Sequence, residues 1–88
     1  MKGRRVYANA EGYRDGPMEP GDYFYWERIN RWLVKAPNGH EGTISPNVHV
    51  VEEHDDGTIT LTPSLVLNAA DGRELYHGFL RRGEWTDA

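Results

Sequence analysis

The sequence predicts an all-β protein, a small antiparallel sandwich or open barrel of six to eight short strands. Three observations carry that expectation. Ten glycines and five prolines interrupt 88 residues, so turn signals recur roughly every 8–12 residues. No window shows an apolar stripe of helical period with a cap. Ten aromatic residues and several β-branched runs supply the side chains that strands favour.

The elements follow in order. Arg4–Tyr7 reads as a short first strand. Residues 8–22 hold glycines, prolines, Asn9 and Asp15, and predict a turn-rich surface loop. Asp22–Arg28 is an aromatic strand, and Asn30–Lys35 is the next, with Trp32 and Val34 on one face and Leu33 on the other. Pro37-Asn38-Gly39 is a turn, since Asn-Gly tolerates the positive φ that tight turns need. Val48–Glu53 runs into His54-Asp55-Asp56-Gly57, and Thr58–Thr62 then alternates strictly with Ile59 and Leu61 inward. That is a hairpin. Pro63-Ser64 marks a bend, because proline has no N–H for a central ladder. Leu65-Val66-Leu67 is apolar throughout and predicts a strand covered on both sides. Asn68–Gly72 turns the chain into a long strand, Arg73–Arg81, with Leu75, His77 and Phe79 in phase toward the core. Arg82-Gly83 turns it again into Glu84-Trp85-Thr86.

Size limits the interior. The 88 residues make a single β domain, 1–88, with no linker to divide them. Ile, Leu, Val and Phe total only 17 residues, so the aromatic rings must supply much of the buried area. With no cysteine, disulfides, thiolate zinc sites, Fe–S clusters and cysteine nucleophiles are excluded. No run of 18 apolar residues exists to cross a membrane as a helix, and no apolar segment follows the basic start, so a cytoplasmic location without membrane contact is expected. A formal net charge of −4 counts against nucleic acid as the partner.

The residues that carry chemistry fall into two sets. The aromatic band Tyr23-Phe24-Tyr25-Trp26, with Trp32, offers more ring area than one core face should need. Alternation sends Tyr23 and Tyr25 one way and Phe24 and Trp26 the other, which leaves rings for a protein interface or a homodimer seam. Tyr23, Tyr25, Trp26 and Trp32 are therefore candidate partner-binding residues, rimmed by Glu52, Glu53, Asp55 and Asp56. The acids suit a partner with a basic patch. Against this stands a cover of loop 8–22 and the first strand over both faces. The second set is a candidate pocket around Trp32, His49, Ser64 and His77, in which imidazoles near neutrality serve as bases or ligand contacts. A Ser64–His77–Asp triad can be written, and so can a structural hydrogen bond that fixes His77 through Ser64 or a threonine hydroxyl. No Gly-x-Ser-x-Gly elbow, nucleotide loop, calcium loop or close metal-ligand spacing is present, so no cofactor, metal or catalytic residue is expected.

Residues 53–64, Glu-His-Asp-Asp-Gly-Thr-Ile-Thr-Leu-Thr-Pro-Ser, and 76–85, Tyr-His-Gly-Phe-Leu-Arg-Arg-Gly-Glu-Trp, together resemble a family of small uncharacterised bacteriophage and prophage proteins of actinobacteria. The resemblance covers roughly residues 30–86. Relatives carry Cys-x-x-Cys-Gly near Pro37-Asn38-Gly39 and a further Cys before the late His, whereas this chain has Ala36 to Gly39 and Tyr76 there. The resemblance implies a phage accessory protein in the cytoplasm of an infected bacterium. The expected function is non-enzymatic binding of a host protein, with inhibition of a host or antiviral process as its use. The alternative is a small-ligand binder or hydrolase built on the histidine pocket.

Overall fold

A computed structural model describes all 88 residues. Nine strands form and no helix does: β1 (Arg4–Val6), β2 (Asp22–Trp26), β3 (Arg31–Lys35), β4 (Glu41–Ile44), β5 (Val50–Glu53), β6 (Ile59–Thr62), β7 (Leu65–Asn68), β8 (Glu74–Arg81) and β9 (Glu84–Asp87). They make three sheets, ordered β1-β2-β3-β4, β5-β6 and β7-β8-β9, antiparallel except where β1 runs parallel to β2. The architecture is an open all-β sandwich.

The four-stranded sheet has two unlike faces because side chains alternate along each strand. Tyr23, Trp32, Val34 and Ile44 share the inner face and meet Ile59, Leu61, Leu65, Leu67, Tyr76, Leu80 and Trp85 from the other two sheets in one buried cluster. Trp32 lies against Tyr23 and Tyr25, with ring centroids 6.4 and 5.3 Å away, and Trp85 meets Tyr76 edge-on at 5.9 Å. Rings fill the space that the 17 aliphatic and phenyl side chains cannot. The first residues lace the sheets together. Met1 exchanges backbone hydrogen bonds with Trp85, and Gly3 donates to Gly83, before β1 joins the other sheet.

Four expectations need correction. Nine strands replace six to eight because β4, Glu-Gly-Thr-Ile, carries one strong apolar residue and reads as turn. It forms because its glycine is useful: a Cβ on Gly42 would run into the Leu67 side chain, so the bare backbone lets β4 close onto β7. Val66 is not covered on both sides; β7 buries Leu65 and Leu67 and exposes Val66, since nothing lies outside this sheet. The phase of β8 is the reverse of the one expected. Tyr76, Gly78 and Leu80 point inward, because register sets them beside Leu67, Leu65 and Trp85, while Leu75, His77 and Phe79 stay half-exposed. Finally, the loop yields its last residue to β2 and contributes a buried side chain, Met18, so it is more than surface.

The buried phenols predict an alkaline limit to stability. Burial pushes the Tyr76 phenol up to about 12, and the Asp87 carboxylate beside it acts in the same direction. Tyr23 is raised as well, first by burial. The unfolded chain therefore loses these protons before the folded one does. Stability is complete below the ordinary phenol value near about 10 and falls as pH climbs from there toward the folded value. Urea midpoints measured across that window should drop, and Tyr76→Phe should make the drop shallower.

Candidate functional site: a groove beneath the 8–21 loop

The outer face of the four-stranded sheet carries a row of paired residues, Val6, Phe24 and Leu33, with Trp26 at the far end of β2. Segment 8–21 passes over it. Asn9 shapes that segment: its Oδ1 accepts from the backbone N–H of Glu11 and Tyr13, and its Nδ2 donates to Asp15. At the other end Asp22 is buried, accepts from the Glu19 N–H, and holds Arg4 through two bonds of 2.8 and 3.2 Å. Met18 and Phe24 are both buried, yet neither belongs to the central cluster.

A groove of about 370 Å³ lies here, lined by Tyr13, Arg14, Gly16, Pro17, Phe24 and Trp26. The Arg14 guanidinium sits 5.6 Å from the Phe24 ring centre. Arg28 stacks at 4.5 Å on Tyr13 and donates to the Glu11 carbonyl. Two nitrogens in this wall, Arg14 Nη1 and Trp26 Nε1, are shut off from water and have no acceptor. A buried donor left without a partner costs roughly 1–3 kcal/mol, and native proteins keep few of them. Arg5 Nε and His49 Nδ1 are in the same condition elsewhere, so two of the four such nitrogens belong to residues of this groove.

The structure redistributes the partner-binding residues expected from sequence. Tyr23 and Trp32 are core residues, 1% and 7% exposed, because β2 and β3 turn these rings toward the other sheets. Neither presents a surface. Tyr25 is half-buried against the same cluster, its hydroxyl donating to Asn30 Oδ1. Trp26 alone of the four is on the outer face. The acids do not rim it: none of Glu52, Glu53, Asp55 and Asp56 lines the groove, because the β5–β6 hairpin is held on the inner side of the sheet. Arg5 does the holding. Its guanidinium lies 4.8 Å from both the Tyr7 and Trp32 rings and donates to Glu53 and to the Gly57 carbonyl. Asp56 is also occupied, accepting from the Thr58 hydroxyl and N–H, which hold its carboxyl below the usual range.

The histidine pocket divides as well. Trp32 and His49 share a hollow of about 210 Å³ with Tyr25, Ile44, Pro46 and Val51, but Ser64 and His77 do not line it. His49 Nε2 meets the Ser64 carbonyl at 3.1 Å, and Ser64 Oγ meets His77 Nε2 at 3.1 Å. His77 does not face the core; its side chain is 39% exposed, and Glu74 approaches its other ring nitrogen at 3.9 Å. These contacts join the bend after the cis Thr62–Pro63 bond to β8, and Ser64 and His77 line separate hollows of about 320 and 340 Å³. The two places where the resemblance puts thiols are neighbours, with Asn38 Nδ2 donating to the Leu75 carbonyl at 2.8 Å.

Sequence reasoning missed Tyr13, Arg14 and Pro17. The signal was there, an aromatic–cation pair followed by Gly-Pro inside the loop, but nothing along the chain says that a loop returns over its own sheet. No family model, curated protein or solved structure matches the chain. The phage resemblance therefore rests on the motifs at 53–64 and 76–85.

Proposed function

We propose that this protein is a non-enzymatic binding module, a phage accessory factor that captures a host protein by inserting part of it into the groove beneath the 8–21 loop. The single observation that carries the reading is the pair of acceptor-less donors, Arg14 Nη1 and Trp26 Nε1, in a wall otherwise made of Tyr13, Pro17 and Phe24. Aromatic walls with a few set polar groups are the usual lining of a recognition site. Inhibition of a host or antiviral process is the use that the resemblance suggests for such a capture.

The test is affinity capture from host extract with matched variants. Trp26→Ala should lose the captured protein while keeping a cooperative urea transition, since Trp26 lies outside the central cluster. His77→Ala and Ser64→Ala should retain it. Equal capture by Trp26→Ala, with loss in the histidine or serine variant, would move the site to the bend after Pro63.

A further inference from the structure

We infer that the groove takes an acidic peptide segment, with a carboxylate of the bound chain accepting from Arg14 Nη1 and Trp26 Nε1. This deepens the binding reading above and rests on it. It also reverses the charge expected of the partner, because the acids of the β5–β6 hairpin lie elsewhere.

Charge complementarity carries the argument. Only Arg4 and Arg5 of the eight arginines form ion pairs, with Asp22 and Glu53, and Lys35 approaches Glu41. Arg14 on the groove wall and Arg28 beside it are among the six arginines without one. Both are held over rings, Arg14 at Phe24 and Arg28 at Tyr13, which fixes their planes before anything binds. A planar, weakly hydrated fork of this kind pairs best with a carboxylate, through charge-assisted bonds. The indole N–H is a donor only and adds a second demand for an acceptor.

Size and field choose a peptide over a polynucleotide. About 370 Å³ accepts one or two side chains, with Pro17, Phe24 and Trp26 to receive an apolar neighbour of the acid. Single-stranded nucleic acid needs a run of cations along its backbone, which Arg14 and Arg28 alone do not supply. Both donors are covered in the free protein, so an acceptor reaches them only if the groove wall opens on binding.

The test uses a labelled hexapeptide of alternating Glu and Leu, acetylated and amidated, followed by fluorescence polarisation against the intact protein. Its Gln-for-Glu and Lys-for-Glu counterparts and a dT oligonucleotide are the comparisons. The acidic peptide should bind saturably, with Gln and Lys versions at least about tenfold weaker, and with affinity falling as salt rises. Arg14→Gln should weaken it by about tenfold without lowering the urea midpoint, and Arg28→Gln should weaken it less. Equal binding of the Gln or Lys peptide, tighter binding of the oligonucleotide, or indifference to Arg14→Gln overturns the assignment. If Trp26→Ala still abolishes capture from extract while the acidic peptide fails, the charge assignment falls and the binding module stands. If neither depends on the groove, both fall.

Discussion

Replacing Trp85 with alanine is expected to remove about 3–5 kcal/mol of folding stability. A domain of this length has roughly 4–13 kcal/mol in total, so the variant should sit near the edge of folding at room temperature. The cost is large because the ring does three things at once. It is 1% exposed, it packs edge-on against Tyr76, and its Nε1–H donates to the Gly21 carbonyl at 2.9 Å. Alanine leaves a cavity and strands that carbonyl. The backbone of Trp85 also receives the first residue of the chain, so loosening β9 frees the N-terminal lacing as well. Urea denaturation followed by circular dichroism should show a much lower midpoint at nearly constant slope. Trp26→Ala, by contrast, should shift the midpoint little. A reversed order between the two tryptophans would mean that the core has been misassigned.

Gly78→Ala should be the second large effect. A Cβ at this position would lie 2.7 Å from the Thr86 carbonyl of the neighbouring strand and would meet the Tyr76 hydroxyl end as well. The Tyr76 ring occupies the space that Gly78 leaves open, so β8 can neither rotate the new methyl away nor keep both neighbours in place. Overpacking of this kind costs about 1–3 kcal/mol, and here the obstruction includes backbone. Gly42→Ala makes an instructive contrast. Its Cβ meets only the flexible end of Leu67, so a rotamer change relieves most of the clash. Thermal unfolding of both variants should rank Gly78→Ala well below Gly42→Ala.

Most of the fold is legible in the sequence where one face is apolar and the other is not. The hairpin of Ile59 and Leu61 against the Asp-Gly turn is present as read, and Trp32 and Val34 share a buried face as alternation requires. The reading fails where both faces are apolar. Leu75, His77 and Phe79 compete with Tyr76, Gly78 and Leu80 for the inside of β8, and period two cannot choose between them. Tertiary contacts choose, through Trp85 and Leu67. A similar limit explains β4, whose glycine is legible as a turn residue but acts as a close-approach site.

The candidate site was half legible. Trp26 could be picked from its alternation with Phe24, but Tyr23 and Trp32 could not be separated from it, because ring area alone does not say which rings the core absorbs. The loop partners Tyr13, Arg14 and Pro17 come from a segment whose path depends on long-range fastening by Asp22 and Arg28. Local pattern carries no trace of that path. The acids of the hairpin mislead for the same reason: their separation from Trp26 is decided by Arg5, a residue 48 positions from Glu53.

The groove is tested most directly by the indole N–H resonances of the three tryptophans in a nitrogen-15 correlation spectrum, recorded as the acidic Glu/Leu peptide is added. The Trp26 signal should move downfield and saturate, because its donor gains an acceptor, while Trp85, already bonded to Gly21, stays in place. A stationary Trp26 resonance in a spectrum where other signals shift would contradict the account.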